Sequence, residues 1–201
     1  MTINTDDLLN SILDSIARVT HVSPDNIPNI DLYMDQVTTL MDEELKSSKR
    51  YNEDKILTKT MINNYTKNNL LPASSKKKYS KEHVLVLIFI YYFKNILSIK
   101  DIETLLNPVT EQYFDTDKEL DLSTIYREIC KMEEDRIPAL QDDITDLYNH
   151  SMESFKEVDE DQRGYLLLFS FICNLSFDVY IKKQIIEKLI DELPKPEKGK
   201  K

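Results

Sequence analysis

Leu57–Leu106 reads LTKTMINNYTKNNLLPASSKKKYSKEHVLVLIFIYYFKNILSIKDIETLL, and the chain is organised around it. Thr58 is a good cap for a short helix over Lys59–Asn68. At about 100° per residue, Lys59, Thr60, Asn63, Asn64 and Lys67 fall within one arc of roughly 140°, with Met61, Ile62 and Tyr65 opposite. One face therefore buries, and the other offers side chains that reach nucleic acid. Asparagine can pair bidentately with adenine, and lysine can reach guanine or phosphate. Asn68 or Asn69 can take the left-handed conformation that closes such a helix. After Leu70-Leu71-Pro72, the ASSKKKY segment predicts two short strands around a turn. Lys76, Lys77 and Lys78 would contact phosphates there, and Tyr79 would either pack at the base of the turn or bond a phosphate.

Ser80 caps the next helix, about 81–95, which is apolar on almost every side and belongs at the centre of a core or between subunits. His83, just after that cap, is expected at the surface of the helix start. Ser98 with Asp101 signals a further helix to Leu106, which Asn107-Pro108 should end. Helix, basic hairpin, helix is the outline of a winged helix-turn-helix, and double-stranded DNA is the partner it predicts.

Charge supports that outline. The net charge is −10, yet residues 46–100 carry twelve Lys or Arg against three acids, a net of +9. The rest carries fourteen bases and thirty-three acids, a net of −19. Such segregation fits a basic face that meets phosphates and an acidic body that stays away from them.

Working outward, Leu8, Leu9, Ile12, Leu13, Ile16 and Val19 recur at helical spacing over Asp6–Val19. Pro24 and Pro28 make residues 20–30 a linker, and Asp31–Lys46 resumes a helix, with a polar, basic connection over 47–57. Beyond Asp121 the chain is acidic and helical. Leu122, Ile125, Ile129 and Met132 form one stripe, and Pro138 starts a helix with Leu140, Ile144, Leu147 and Phe155 inward. Helices at about 162–175 and 178–192 follow, then a disordered tail over 194–201. Tyr165–Leu175 (YLLLFSFICNL) is too short to span a bilayer and reads as a buried helix, so no membrane partner is expected. The aromatic side chains Tyr165, Phe169, Phe171, Phe177 and Tyr180 could line a pocket for an effector that cannot be named.

Chemistry has little footing. With only Gly164 and Gly199, neither GxxxxGK[ST] nor GxGxxG can be written. His21, His83 and His150 lack partners at metal-ligand spacing, and no HExxH or CxxC occurs. No catalytic residue, cofactor or metal is expected. Cys130 and Cys173, without a signal peptide, suggest a reduced, cytoplasmic protein.

The order TMINNYTKNNLLP…KKKYSKEHVLVLIFIYYFKNILSIKDIETLL resembles the MerR-type winged helix-turn-helix. Thr60, Tyr65, Leu70, Leu71, Pro72, Tyr79, Ser80 and Ser98–Ile102 occupy the places of that family's recognition helix, exit, wing and following cap. Ile62 or Asn63 stands where the family has arginine, and Lys-Lys-Tyr replaces the wing's Gly-Tyr-Arg. With IDLYMDQVTTLM at Ile30–Met41, the stretch also looks like an uncharacterised bacterial family, catalogued as a domain of unknown function, over about residues 27–130. The resemblance implies a MerR-like fold and no established biochemistry. The expectation is thus an all-α, mainly helical chain with a small β-wing. It would comprise an N-terminal helix and linker (1–29), a winged helix-turn-helix (30–107), a helical bundle for dimerisation or sensing (108–193), and the tail. Its expected role is a DNA-binding transcriptional regulator, a homodimer. The alternative is a protein-interaction module that keeps the fold without reading DNA.

Overall fold

The computed structural model describes residues 5–17, 21–116 and 118–194. Val19 and the tail from Lys195 lie outside the described residues. In chain order the elements are α1 (Thr5–Ala17), β1 (Leu32–Tyr33), α2 (Met34–Glu44), α3 (Lys59–Lys67), β2 (Lys78–Tyr79), α4 (Lys81–Phe93), α5 (Ile99–Tyr113), α6 (Leu122–Glu134), α7 (Ile137–Met152) and α8 (Glu160–Asp191). The chain is mainly helical with one small antiparallel sheet, in which Leu32 pairs with Tyr79 and Tyr33 with Lys78. It forms two compact units. Among the described residues, one joins 5–17 with 131–185; the other joins 21–130 with 186–194.

The 21–130 unit is built on α4. Every residue from His83 to Tyr91 is buried, so the helix that reads as apolar on all sides is covered on all sides. Around it pack Val37 and Met41 of α2, Ile62 and Tyr65 of α3, Ile102 and Leu106 of α5, and Leu122 and Tyr126 of α6. Ile186 and Ile190, from the end of α8, join the same cluster. Residues 20–30 are more than a linker. Ser23 caps a single 3-10 turn at Pro24–Asn26, and Val22 and Ile27 are buried in the core on either side of it.

Two boundaries and one buried stripe of this unit differ from the sequence reading. The helix expected from Asp31 begins only at Met34, because Leu32 and Tyr33 are extended and pair with Tyr79 and Lys78. The Gln36 side-chain oxygen then accepts the Tyr33 N–H at 2.8 Å and closes the helix start. The α5 helix does not stop at Asn107-Pro108 but runs through Pro108 to Tyr113. Proline removes one backbone donor there, at a cost of about 3 kcal/mol in a helix interior. The Thr110 hydroxyl donates to the Leu106 and Asn107 carbonyls at 3.1 Å beside it. On α6 the expected stripe holds only at its start. Leu122 and Tyr126 are buried, whereas Ile129 and Met132 are exposed.

His83 is also placed differently: it is buried, not at the surface. Its Nδ1 accepts the Ser80 N–H at 3.0 Å, taking the role a Glu or Gln plays in a capping box. Its ring meets Phe114 edge-on at 4.7 Å and Tyr79 at 5.5 Å. Burial holds its pKa below the ordinary histidine value, against the Ala73 and Pro72 carbonyls and the Asp31 and Asp115 carboxylates, which pull upward. A group that prefers to be neutral when folded takes up its proton more readily when unfolded. Its stabilisation is therefore complete above pH ~6.5 and is lost as the pH falls below it. Thermal melting temperature should decline between about pH 6.5 and 5, above the ordinary carboxylate range. His83→Gln, which can keep the cap but cannot titrate, should flatten that decline. An unchanged slope would assign it to other groups.

In the other unit, α1 and α7 pack together, and the Gln141 amide donates to the Leu13 carbonyl at 3.1 Å. Pro138 sits in the first turn of α7 as expected, but Tyr148 and Ser151 are its buried residues while Leu140 and the following Phe155 are exposed. Phe171 meets Tyr148 edge-on at 5.5 Å, and the Asn174 amide reaches the Ser151 hydroxyl at 3.4 Å. The two helices expected over 162–192 are one, α8, and it is not a buried helix. Tyr165, Phe169, Ile172, Phe177 and Tyr180 are all about half exposed or more, so they do not enclose a pocket. Gln162–Asp191 is long and apolar enough to cross a membrane by length and composition. Neither cysteine forms a disulfide.

Candidate nucleic-acid interface

The short helix expected over Lys59–Asn68 is present, with its expected cap. The Thr58 hydroxyl accepts the Met61 N–H at 3.2 Å, and α3 runs from Lys59 to Lys67. Asn69 takes the left-handed conformation, φ 57°, beyond its last turn. Ile62 and Tyr65 are buried, and Lys59, Thr60, Asn63, Asn64 and Lys67 are all exposed along the opposite side. The amphipathic pattern thus translates directly into one anchored and one open face.

The lysine segment makes a two-residue turn closed by a single Ser75–Lys78 bridge, and its one strand, β2, pairs with β1, so the two strands expected within ASSKKKY do not both form. The Lys78 N–H donates to the Ser75 carbonyl at 2.8 Å, and Lys76 and Lys77 between them have φ 50° and 64°. Two positive φ angles in succession define a type I′ turn, whose favoured occupants are Asn-Gly. Here both positions are lysine, each exposed at the tip. A non-glycine residue held in this region costs roughly 1–2 kcal/mol. Lys78 is half-buried, and its ammonium lies 5.4 Å from the centre of the Tyr33 ring. Of the two roles open to Tyr79, the structure matches packing at the base: its side chain is only 4% exposed.

Two contacts bring the helix and the hairpin to one corner of the unit. Tyr33, under Lys78, immediately precedes α2, and Asp35 in the first turn of α2 forms an ion pair with Lys59 at the start of α3. Lys59 and Lys78 thus flank the beginning of α2 from two sides. Asp35 is itself exposed, so this ion pair sits in water and contributes little to stability.

The segment between α2 and α3 is long but anchored. It contains a 3-10 turn at Lys46–Ser48, and Leu45, Ile56 and Leu57 are buried. The Ser48 and Tyr91 hydroxyls lie 2.6 Å apart, and the Lys94 ammonium donates to the Ile56 carbonyl at 3.0 Å while sitting 4.7 Å from the Tyr91 ring centre. Burial holds the Lys94 pKa below the ordinary lysine value. These ties to α4 let an extended connection position α3 as firmly as a tight turn would. Sequence reasoning missed Lys94 because a lysine at the end of an apolar helix reads as a solvated cap. The signal available was its place four residues beyond Ile90 on a helix buried all round.

A family model described as a domain of unknown function (DUF1836) matches residues 22–129. No curated protein and no solved structure matches the chain. The matched range ends within a residue of the 21–130 segment that folds as one unit.

Proposed function

The chain belongs to the DUF1836 family of domains of unknown function, and from its own residues we propose that the 21–130 unit is a winged helix-turn-helix that binds duplex DNA as a transcriptional regulator. The order β1, α2, α3, hairpin, α4 supports a MerR-like arrangement, with α3 reading bases and the hairpin acting as wing. Asn63 and Asn64 are the candidates for base edges, with Lys59, Thr60 and Lys67 beside them. Lys76, Lys77 and Lys78 are the candidates for phosphates.

The observation that carries this reading is the hairpin tip. Two lysines occupy backbone positions that Asn-Gly would fill at lower cost. A solvated loop gains nothing from such an arrangement, whereas a phosphate contact gains two adjacent exposed cations. Backbone held in a sparsely populated region is found where function uses it.

The test is retention of sheared DNA from the source genome by purified protein, sequenced, followed by titration of a recovered fragment against salt. Six neutralised phosphates would give a log–log slope near −5, at about −0.9 per contact. A few sharp peaks sharing a motif, with that slope, are expected. A second reading has an observation of its own: the Lys59–Asp35 ion pair ties up one cation of the face. A protein-interaction module that keeps this fold would retain no DNA at low salt.

A further inference from the structure

Not every polar side chain on α3 is available to a partner. The Thr66 hydroxyl donates to the Ile62 carbonyl at 3.2 Å, and the Asn68 amide donates to the Asn64 carbonyl at 2.8 Å. Lys59, at the start of the helix, is held in an ion pair by Asp35 of α2. Among the described residues, the Thr60 hydroxyl and the Asn63 and Asn64 amides have no hydrogen-bond partner in the protein, and all three residues are exposed. Lys67 is exposed as well, but in the last turn. A recognition helix of the helix-turn-helix kind meets base edges with its N-terminal residues. The side chains left for bases are then two asparagines and a threonine.

Position narrows them further. On the arc that starts at Lys59, Asn63 and Thr60 stand at about 40° and 100°, either side of its middle, while Asn64 lies at the rim at about 140°. Thr60 and Asn63 are three residues apart, about 4.5 Å along the axis, near the ~3.4 Å step between stacked base pairs. Asparagine pairs bidentately with adenine N6 and N7, and the threonine methyl packs on the methyl of thymine. Resting on the DNA reading above, we propose that α3 selects two neighbouring A·T pairs, Asn63 binding an adenine and Thr60 the thymine methyl beside it. Asp35 is the positioning residue. Its carboxylate engages the one cation in the first turn of α3, Lys59, which would otherwise reach guanine O6 and N7. The same ion pair cancels an acid that would repel phosphate on this face.

Selection from a random-sequence duplex library by the purified full chain should enrich a motif containing adjacent A·T pairs. Asn63→Ala should lower the preference for adenine at one position about tenfold. Thr60→Ser, which keeps the hydroxyl and removes the methyl, should lower the thymine preference at the neighbouring position. Asp35→Asn should admit guanine beside the adenine while thermal melting stays unchanged, because the ion pair is exposed. A base preference that Asp35→Asn does not move would overturn the role given to Asp35. An enriched motif of G·C pairs, binding with no enriched motif, or an adenine preference that survives Asn63→Ala would overturn the A·T assignment with DNA binding intact. Recovery of no duplex at low salt would overturn the DNA reading and this assignment with it.

Discussion

Asn63→Ala combined with Lys67→Ala should reduce affinity for a recovered cognate DNA fragment by at least a hundredfold. Each good bidentate contact to a base edge carries roughly 1–3 kcal/mol of discrimination, and tenfold corresponds to about 1.4 kcal/mol. Both side chains are exposed, so their removal leaves no cavity in the core. Alanine is the stronger helix former at both positions, which offsets the small loss of a cation in the last turn of α3. Binding falls, then, while thermal melting does not. Fluorescence anisotropy on cognate and scrambled duplexes separates the two parts of the effect: the cognate affinity should approach the scrambled one. Equal cognate binding by the double variant would move base reading to another face.

Replacing the wing tip, Lys76→Asn with Lys77→Gly, should move stability and binding in opposite directions. Both residues occupy left-handed backbone. Glycine carries no penalty there and asparagine a reduced one, so the variant should gain about 1–2 kcal/mol of stability. The same change removes two cations, so the salt slope of DNA binding should become shallower by nearly two. Chemical denaturation and a salt titration on one preparation check both. A variant that is more stable and binds equally well would leave the lysines without a role at phosphates.

Much of this face is legible in the sequence because its signals are local. The Thr58 cap, the 3.6-residue alternation around Ile62 and Tyr65, and an asparagine at the exit lie within a dozen residues, and each has one dominant structural meaning. The turn at Lys76-Lys77 is legible for the same reason, but the partner of its one strand is not. What escaped depends on distant partners. The β1 strand is two residues long, too short for any alternation to show; only its pairing with Tyr79 makes it a strand. His83 hid because histidine is an unusual third residue of a capping box, although the Ser-x-x-His spacing was there to see. The α8 helix reads as two because Asn174 and Asp178 bound its apolar run, with Ser176 between them. Inside the continuous helix the Ser176 hydroxyl donates back to the Ile172 carbonyl at 2.7 Å, and Asp178 pairs with Lys182 at 3.7 Å. Both are satisfied without a break.

Ile190 has a consequence for the order in which this protein can be made. It is buried in a core that otherwise ends near residue 130, sixty residues earlier in the chain. The ribosome delivers α2 to α6 first, and domains fold as units once their parts are available. This unit lacks a part until Ile190 has emerged, so its core closes only after the intervening residues 131–185 have been made. A nascent chain stalled before Ile186 would hold α3 and the lysine turn on an open apolar surface, a state that invites chaperones.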